Sequence, residues 1–107
     1  MKVKWTPDAR RQLFNTAKYI KHKFGTNAKD EFMDEVQHTT ILLGKYPYMG
    51  KEEPFMYDRP LEYRSIVVSR INKIVYRLEE NVLYIVALWD TRREPNAQAQ
   101  QTDKIES

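Results

Sequence analysis

The apolar residues of this chain keep two different rhythms, a helical one in the first half and an extended one in the second. Ala9, Leu13, Ala17, Ile20 and Phe24 recur at spacings of four, four, three and four, which is one face of a helix. Thr6-Pro7-Asp8 supplies its start: Thr as N-cap, Pro in the first turn where a missing N–H costs nothing, and Asp at the positive end of the dipole. Gly25 closes that helix. Thr26-Asn27 is placed to cap a second one, whose stripe reads Ala28, Phe32, Val36, Thr40 and Leu43 and whose stop is Gly44. A connection this short makes the pair an antiparallel hairpin. Ahead of it, Lys2 to Trp5 alternates Lys, Val, Lys, Trp and suits a short edge strand burying Val3 and Trp5.

From Tyr63 the period drops to two. KIVYRLE places Ile74, Tyr76 and Leu78 on one side of an extended chain and Lys73, Val75, Arg77 and Glu79 on the other. After a turn at Glu80-Asn81, Val82, Tyr84, Val86 and Leu88 alternate with Leu83, Ile85, Ala87 and Trp89, so both faces are apolar and the strand is central. Tyr63 to Val68 is a third β-rich run. The predicted fold class is α+β: a short N-terminal strand, an antiparallel helical hairpin, then a three-stranded antiparallel meander forming a curved sheet with the helices packed on one face. Lys45 to Pro60 has three prolines and no clean period, and reads as an ordered loop. Its Tyr46, Tyr48 and Tyr57 are expected to tuck against the sheet, the other use of such rings being to stack on an RNA base. The polar stretch 96–107 lacks the apolar surface to fold alone and is expected to be a flexible tail after a single domain over 1–95.

Composition narrows the function. A chain of 107 residues with 41% hydrophobic content supports one modest core. With no cysteine, and with His22 and His38 on separate helices and outside any carboxylate cluster, neither a metal site nor a cofactor is expected. No apolar run approaches the roughly 20 residues that cross a bilayer, and the first residues lack a signal-peptide core, so a cytoplasmic location and no membrane contact are expected. Eighteen Lys and Arg against fifteen Asp and Glu give a net charge of +3, too small to argue for nucleic acid unless the charges gather.

They gather along the predicted sheet, as Arg59, Arg64, Arg70, Lys73, Arg77, Arg92 and Arg93. Converging on one concave surface, they would bind a phosphodiester and stabilise the extra charge of a phosphorane-like transition state. The plainer use is pairing with Glu62, Glu79, Glu80, Asp90 and Glu94, with Asp90 holding an arginine in place. On a wet face, exchanging Arg64, Lys73 and Arg92 for Ala should leave folding intact.

The order of these elements, with TPDARRQL, LLGKYPYMG, YRSIVV and KIVYRLEENVLYIVALWDTRREP, resembles the RelE/ParE superfamily of toxins from type II toxin-antitoxin systems over about residues 1–95. The resemblance implies a toxin held in a heteromeric complex by a cognate antitoxin. RelE-like members are ribosome-dependent endoribonucleases acting on ribosome-bound mRNA without metal, and by position Arg64, Lys73 and Arg92 would then be the catalytic cations. Their Tyr or His near the C-terminal end is missing here, since REPNAQAQQ follows Arg92, although Tyr76, Tyr84 or a loop tyrosine is chemically able to substitute. ParE-like members, which inhibit DNA gyrase, show an Arg-Arg pair followed by an acidic residue and Pro, much like Arg92-Arg93-Glu94-Pro95. The resemblance therefore favours a ParE-like, non-nucleolytic toxin with Arg70, Arg77 and Arg93 binding the target or a phosphate. A RelE-like nuclease and an inactive homologue that only binds its antitoxin are the alternatives.

Overall fold

A computed structural model describes residues 1–53, 56 and 61–92 of the chain. Tyr57, Arg59, Arg93 and the 96–107 tail lie outside the described residues. The elements run β1 (Lys2–Trp5), α1 (Pro7–Phe24), α2 (Thr26–Lys45), β2 (Lys51–Glu52), β3 (Tyr63–Val68), β4 (Asn72–Glu79) and β5 (Val82–Asp90).

The start of α1 is the predicted one. The Thr6 hydroxyl accepts from the Ala9 N–H at 3.2 Å, Pro7 opens the first turn, and Asp8 adds an ion pair to Arg11 at 2.6 Å. The joint to α2 differs from expectation. Gly25 alone serves both helices, donating to the Lys21 carbonyl and accepting from Lys29, so Thr26 and Asn27 are already helical and make no side-chain cap. Nor does Gly44 stop α2, which continues to Lys45. A Cβ on Gly44 would sit 3.2 Å from the Met1 carbonyl oxygen and 3.4 Å from Val3, so the glycine lets α2 press against β1. The terminal amine of Met1 seals that contact on the Gly44 carbonyl at 2.8 Å.

Among the described residues five strands form one open sheet in the order β1-β5-β4-β3-β2. The predicted meander β3-β4-β5 is its antiparallel centre, β1 adds to β5 in parallel, and β2 adds to β3 from within the stretch read as loop. Flanked by β1 and β4, β5 is an interior strand, which is why it is apolar on both faces.

One register shift breaks its alternation. Val75 pairs with Ala87 and Tyr76 with Ile85, leaving Val86 as the extra residue of a bulge. Beyond it the faces exchange. Leu83, Ile85 and Leu88 join Ala9, Leu13, Ala17, Phe32, Val36, Leu43, Val68, Ile74 and Tyr76 in the core under the helices. Val86, Ala87 and Trp89 pack instead with Met56, Tyr63 and Val75 on the opposite face. The helical stripes are corrected at their ends: Phe24 is 65% exposed, and Thr39 is buried where Thr40 was expected, the Thr40 hydroxyl donating to the Val36 carbonyl.

Among the described residues Tyr76 is the largest fully buried side chain. Its hydroxyl donates to the Pro47 carbonyl at 2.8 Å and accepts from the Gly50 N–H at 3.1 Å. Burial raises its pKa above the usual 10.0. The folded chain therefore keeps the phenol neutral where the unfolded chain ionises it, a contribution present below pH 10 and lost as pH rises through the folded value. Tyr76→Phe should cost about 1–2 kcal/mol at neutral pH by orphaning two backbone groups. In urea titrations the gap between wild type and this variant should narrow as pH rises above 10; a gap independent of pH would refute the assignment.

Candidate functional site

Each sheet cation can be placed from the strand register, because residues paired across strands point to the same face. Arg64 pairs with Tyr76 and so lies on the helix side. Its guanidinium donates to Glu62 at 2.6 Å, to the Gly50 carbonyl at 2.8 Å and to the Tyr48 carbonyl at 3.4 Å, and lies 5.1 Å from the centre of the Tyr48 ring. The hydrogen bond to Glu62, more than its charge, raises the Arg64 pKa further above an already high value. Gly50 sits so tightly in this corner that a Cβ would come within 2.6 Å of the Tyr76 oxygen and 2.8 Å of the Ser65 carbonyl oxygen. Arg64 and Tyr76 together fasten residues 47–50 to the sheet.

Lys73 and Arg77 lie on the other face. Lys73 pairs across β4 and β5 with Trp89, and its ammonium is 5.1 Å from that ring and 2.7 Å from the Glu53 carboxylate, which is fully buried. Arg77 lies 4.7 Å from the ring of its cross-strand partner Tyr84 and 3.3 Å from Glu79. At the end of β5, the Asp90 carboxylate takes the Arg92 guanidinium at 3.1 and 2.9 Å and the Arg92 N–H at 2.8 Å. That hydrogen bond, with the charge of Asp90 behind it, raises the Arg92 pKa. Arg70 is exposed at the turn between β3 and β4.

The expected convergence of Arg64, Lys73 and Arg92 is therefore not met. Arg64 and Lys73 are on opposite faces, because Arg64 pairs with Tyr76, three residues from Lys73 and of opposite parity. Arg64 and Arg92 are separated along the sheet by at least the four steps from Arg64 to Val68, roughly 13 Å. The plainer sequence reading describes the result: Glu62, Glu79 and Asp90 each hold an arginine, and Asp90 performs the anchoring role suggested for it. The idea that all three cations lie on a wet face is also corrected, since Arg64 anchors a loop and Lys73 neutralises a buried carboxylate.

Sequence reasoning missed three features. Tyr46 and Tyr48 are 61% and 63% exposed rather than tucked against the sheet, because it is their backbone that is tied down. Glu53, read as loop, is the buried partner of Lys73. Between α1, the start of α2 and the Asp90 end of the sheet there is also a groove of about 740 Å³ with Tyr19, Phe24, Phe32 and Leu88 in its lining and Arg92 at its rim. No sequence signal marked the groove, because Phe24 reads there as the last residue of the α1 core stripe. Gln12 of α1 borders the groove and accepts from the Leu88 N–H at 2.8 Å, just past the bulge. Among the described residues no three His, Cys, Asp or Glu side chains form a metal-binding group, and no helix is long and apolar enough to cross a membrane.

Comparison with known proteins adds to this geometry. The family described as "ParE toxin of type II toxin-antitoxin system, parDE" matches residues 3–95. Comparison with curated proteins gives no significant match. Among solved structures, the "Chromosomal ParDE TA system from P. aeruginosa" contains a chain that superposes with a TM-score of 0.69 at 16% identity, covering 84% of this chain and 95% of that one.

The Glu53–Lys73 pair yields a stability prediction. Glu53→Gln should cost about 2–3 kcal/mol in urea unfolding, below the usual penalty for breaking a fully buried pair because Lys73 remains 17% exposed. Replacing both partners with Leu and Met should cost less than the sum of the single changes, giving a coupling energy above about 1 kcal/mol. Additive losses would show that the pair does not act as one unit.

Proposed function

Because the chain belongs to the ParE toxin family of type II toxin-antitoxin systems, we propose that it arrests growth by binding DNA gyrase, without cleaving RNA. The observation that carries this reading is the dispersal and neutralisation of the sheet cations. Metal-independent cleavage by a ribose 2′-OH needs cations around one phosphate and a group able to move a proton. Arg64, Lys73 and Arg92 stand at three separate places, each bonded to a carboxylate. Tyr76 is buried with both hydrogen-bonding functions of its hydroxyl in use and a raised pKa, which makes it a poor base. Tyr84 lies under Arg77. A binding inhibitor needs none of this chemistry; it needs a rigid surface.

A cognate antitoxin is the second partner of this reading. The groove beside α1 mixes apolar residues with polar and charged ones such as Gln12, Lys23, Glu35 and Asp90, and carries exposed aromatic rims at Tyr19 and Phe24, 52% and 65% exposed, which suits an amphipathic antitoxin helix lying with its apolar face on the rings. The toxin domain is taken as 1–95, in keeping with the matched span, and the cytoplasm, where gyrase works, as its location.

The expected outcome is growth arrest on induction, with the purified protein blocking supercoiling by gyrase in vitro and primer extension on translated mRNA showing no codon-linked cuts. Arrest with normal supercoiling and new mRNA ends would replace this reading with the nuclease one. Normal growth without antitoxin would leave the chain as an inactive partner.

A further inference from the structure

The turn between β3 and β4 is held in a conformation that its residues disfavour. Ser69 and Arg70 both have positive φ, 52° and 65°, where a Cβ crowds the carbonyl oxygen and hairpin turns ordinarily place Asn or Gly. Neighbouring elements hold it there. The Glu35 carboxylate of α2 accepts from the Ser69 N–H, and the Ile71 N–H donates to the Ser69 carbonyl at 2.7 Å. Thr91 donates to the Ile71 carbonyl through its N–H at 2.6 Å and its hydroxyl at 2.9 Å. Backbone strain that the surroundings over-determine is concentrated at functional segments.

What this turn displays is a cation. Arg64, Lys73, Arg77 and Arg92 are each engaged by a carboxylate, whereas Arg70 is exposed and forms no ion pair among the described residues. Ser69 and Ile71 line the groove and Arg70 does not. Next to the turn, Val67 is 59% exposed and shares the face of Lys73, away from the helices.

We infer that the β3–β4 turn is a contact for the toxin's protein target, with Arg70 taking a carboxylate of that target and Val67 packing on the apolar surface beside it. A single arginine next to an aliphatic side chain suits a protein interface, where arginines are frequent anchors. A nucleic-acid strand would need a track of cations with stacking rings. The inference rests on the proposal that the target is a protein.

Three variants test it through the inducer dose that halves growth rate. Arg70→Gln keeps the backbone conformation and removes the charge; it should leave the melting temperature unchanged and raise the dose at least about 10-fold, the size expected for an interface anchor. Arg70→Gly removes charge and strain together, and should raise the melting temperature by about 2–5 °C with the same loss of potency. Ser69→Gly relieves strain and keeps the guanidinium, so it should gain stability at wild-type potency. Wild-type potency in Arg70→Gln would overturn the inference, as would an equal loss in Ser69→Gly, which would assign the effect to backbone geometry. If wild type itself fails to arrest growth, the proposed function falls and this inference with it, a result distinct from a failure confined to Arg70.

Discussion

One buried phenol governs the route of the chain after its helices. The second helix ends against β1, with Gly44 on Met1, but the next strand, β2, belongs at the opposite edge of the sheet, beyond β5, β4 and β3. Residues 46–50 connect the two through a turn in which the Met49 N–H donates to the Tyr46 carbonyl. Their backbone comes with polar groups that must find partners wherever it leaves water. The Tyr76 hydroxyl takes the Pro47 carbonyl and the Gly50 N–H, and Arg64 takes the carbonyls of Tyr48 and Gly50. These bonds act together with the pairing of β2 on β3 and the Glu53 N–H on the Tyr63 carbonyl to set the position of Glu53.

Glu53 then organises the other face of the sheet. Its buried carboxylate meets Lys73 over Trp89, beside a small second core of Met56, Tyr63, Val75, Val86 and Ala87. The central strands therefore carry a core on each face, one under the helices and a smaller one that includes Met56. The bulge at Val86 belongs to the same arrangement. It turns Ala87 and Trp89 toward the second core and returns Leu88 to the first, and Gln12 of α1 receives the Leu88 N–H beside it.

Much of this was legible in the sequence, for local reasons. Thr6-Pro7-Asp8 sets a helix start through bonds to its own neighbours, and the run from Val82 to Trp89 announces an interior strand because both of its faces are apolar. The unreadable parts depend on contacts distant in sequence. Gly44 looks like a helix stop until β1 is known to lie against it. Nothing local to Val86 marks it as the residue without a cross-strand partner. The site suffered most, because the fate of a cation depends on register: Arg64 and Lys73 share a face or not according to whether Arg64 meets Lys73 or Tyr76. Asp90, two residues from Arg92, was foreseeable as its anchor; Glu53, twenty residues from Lys73, was not.

The two activities known in the wider superfamily make opposite demands on such a sheet, and a magnitude favours the binding reading proposed above. A phosphate approaching Arg64 would have to displace Glu62 and two backbone carbonyls, and at about 1 kcal/mol per bond it would lose roughly 2–3 kcal/mol before gaining anything. It would also release the crossing segment that the same guanidinium holds. Lys73 offers a worse bargain, since drawing it toward a phosphate breaks its ion pair with the fully buried Glu53 carboxylate. Cations committed in this way add rigidity to the surface. Rigidity is what a binding inhibitor requires, because side chains already held in place lose little entropy on meeting a partner.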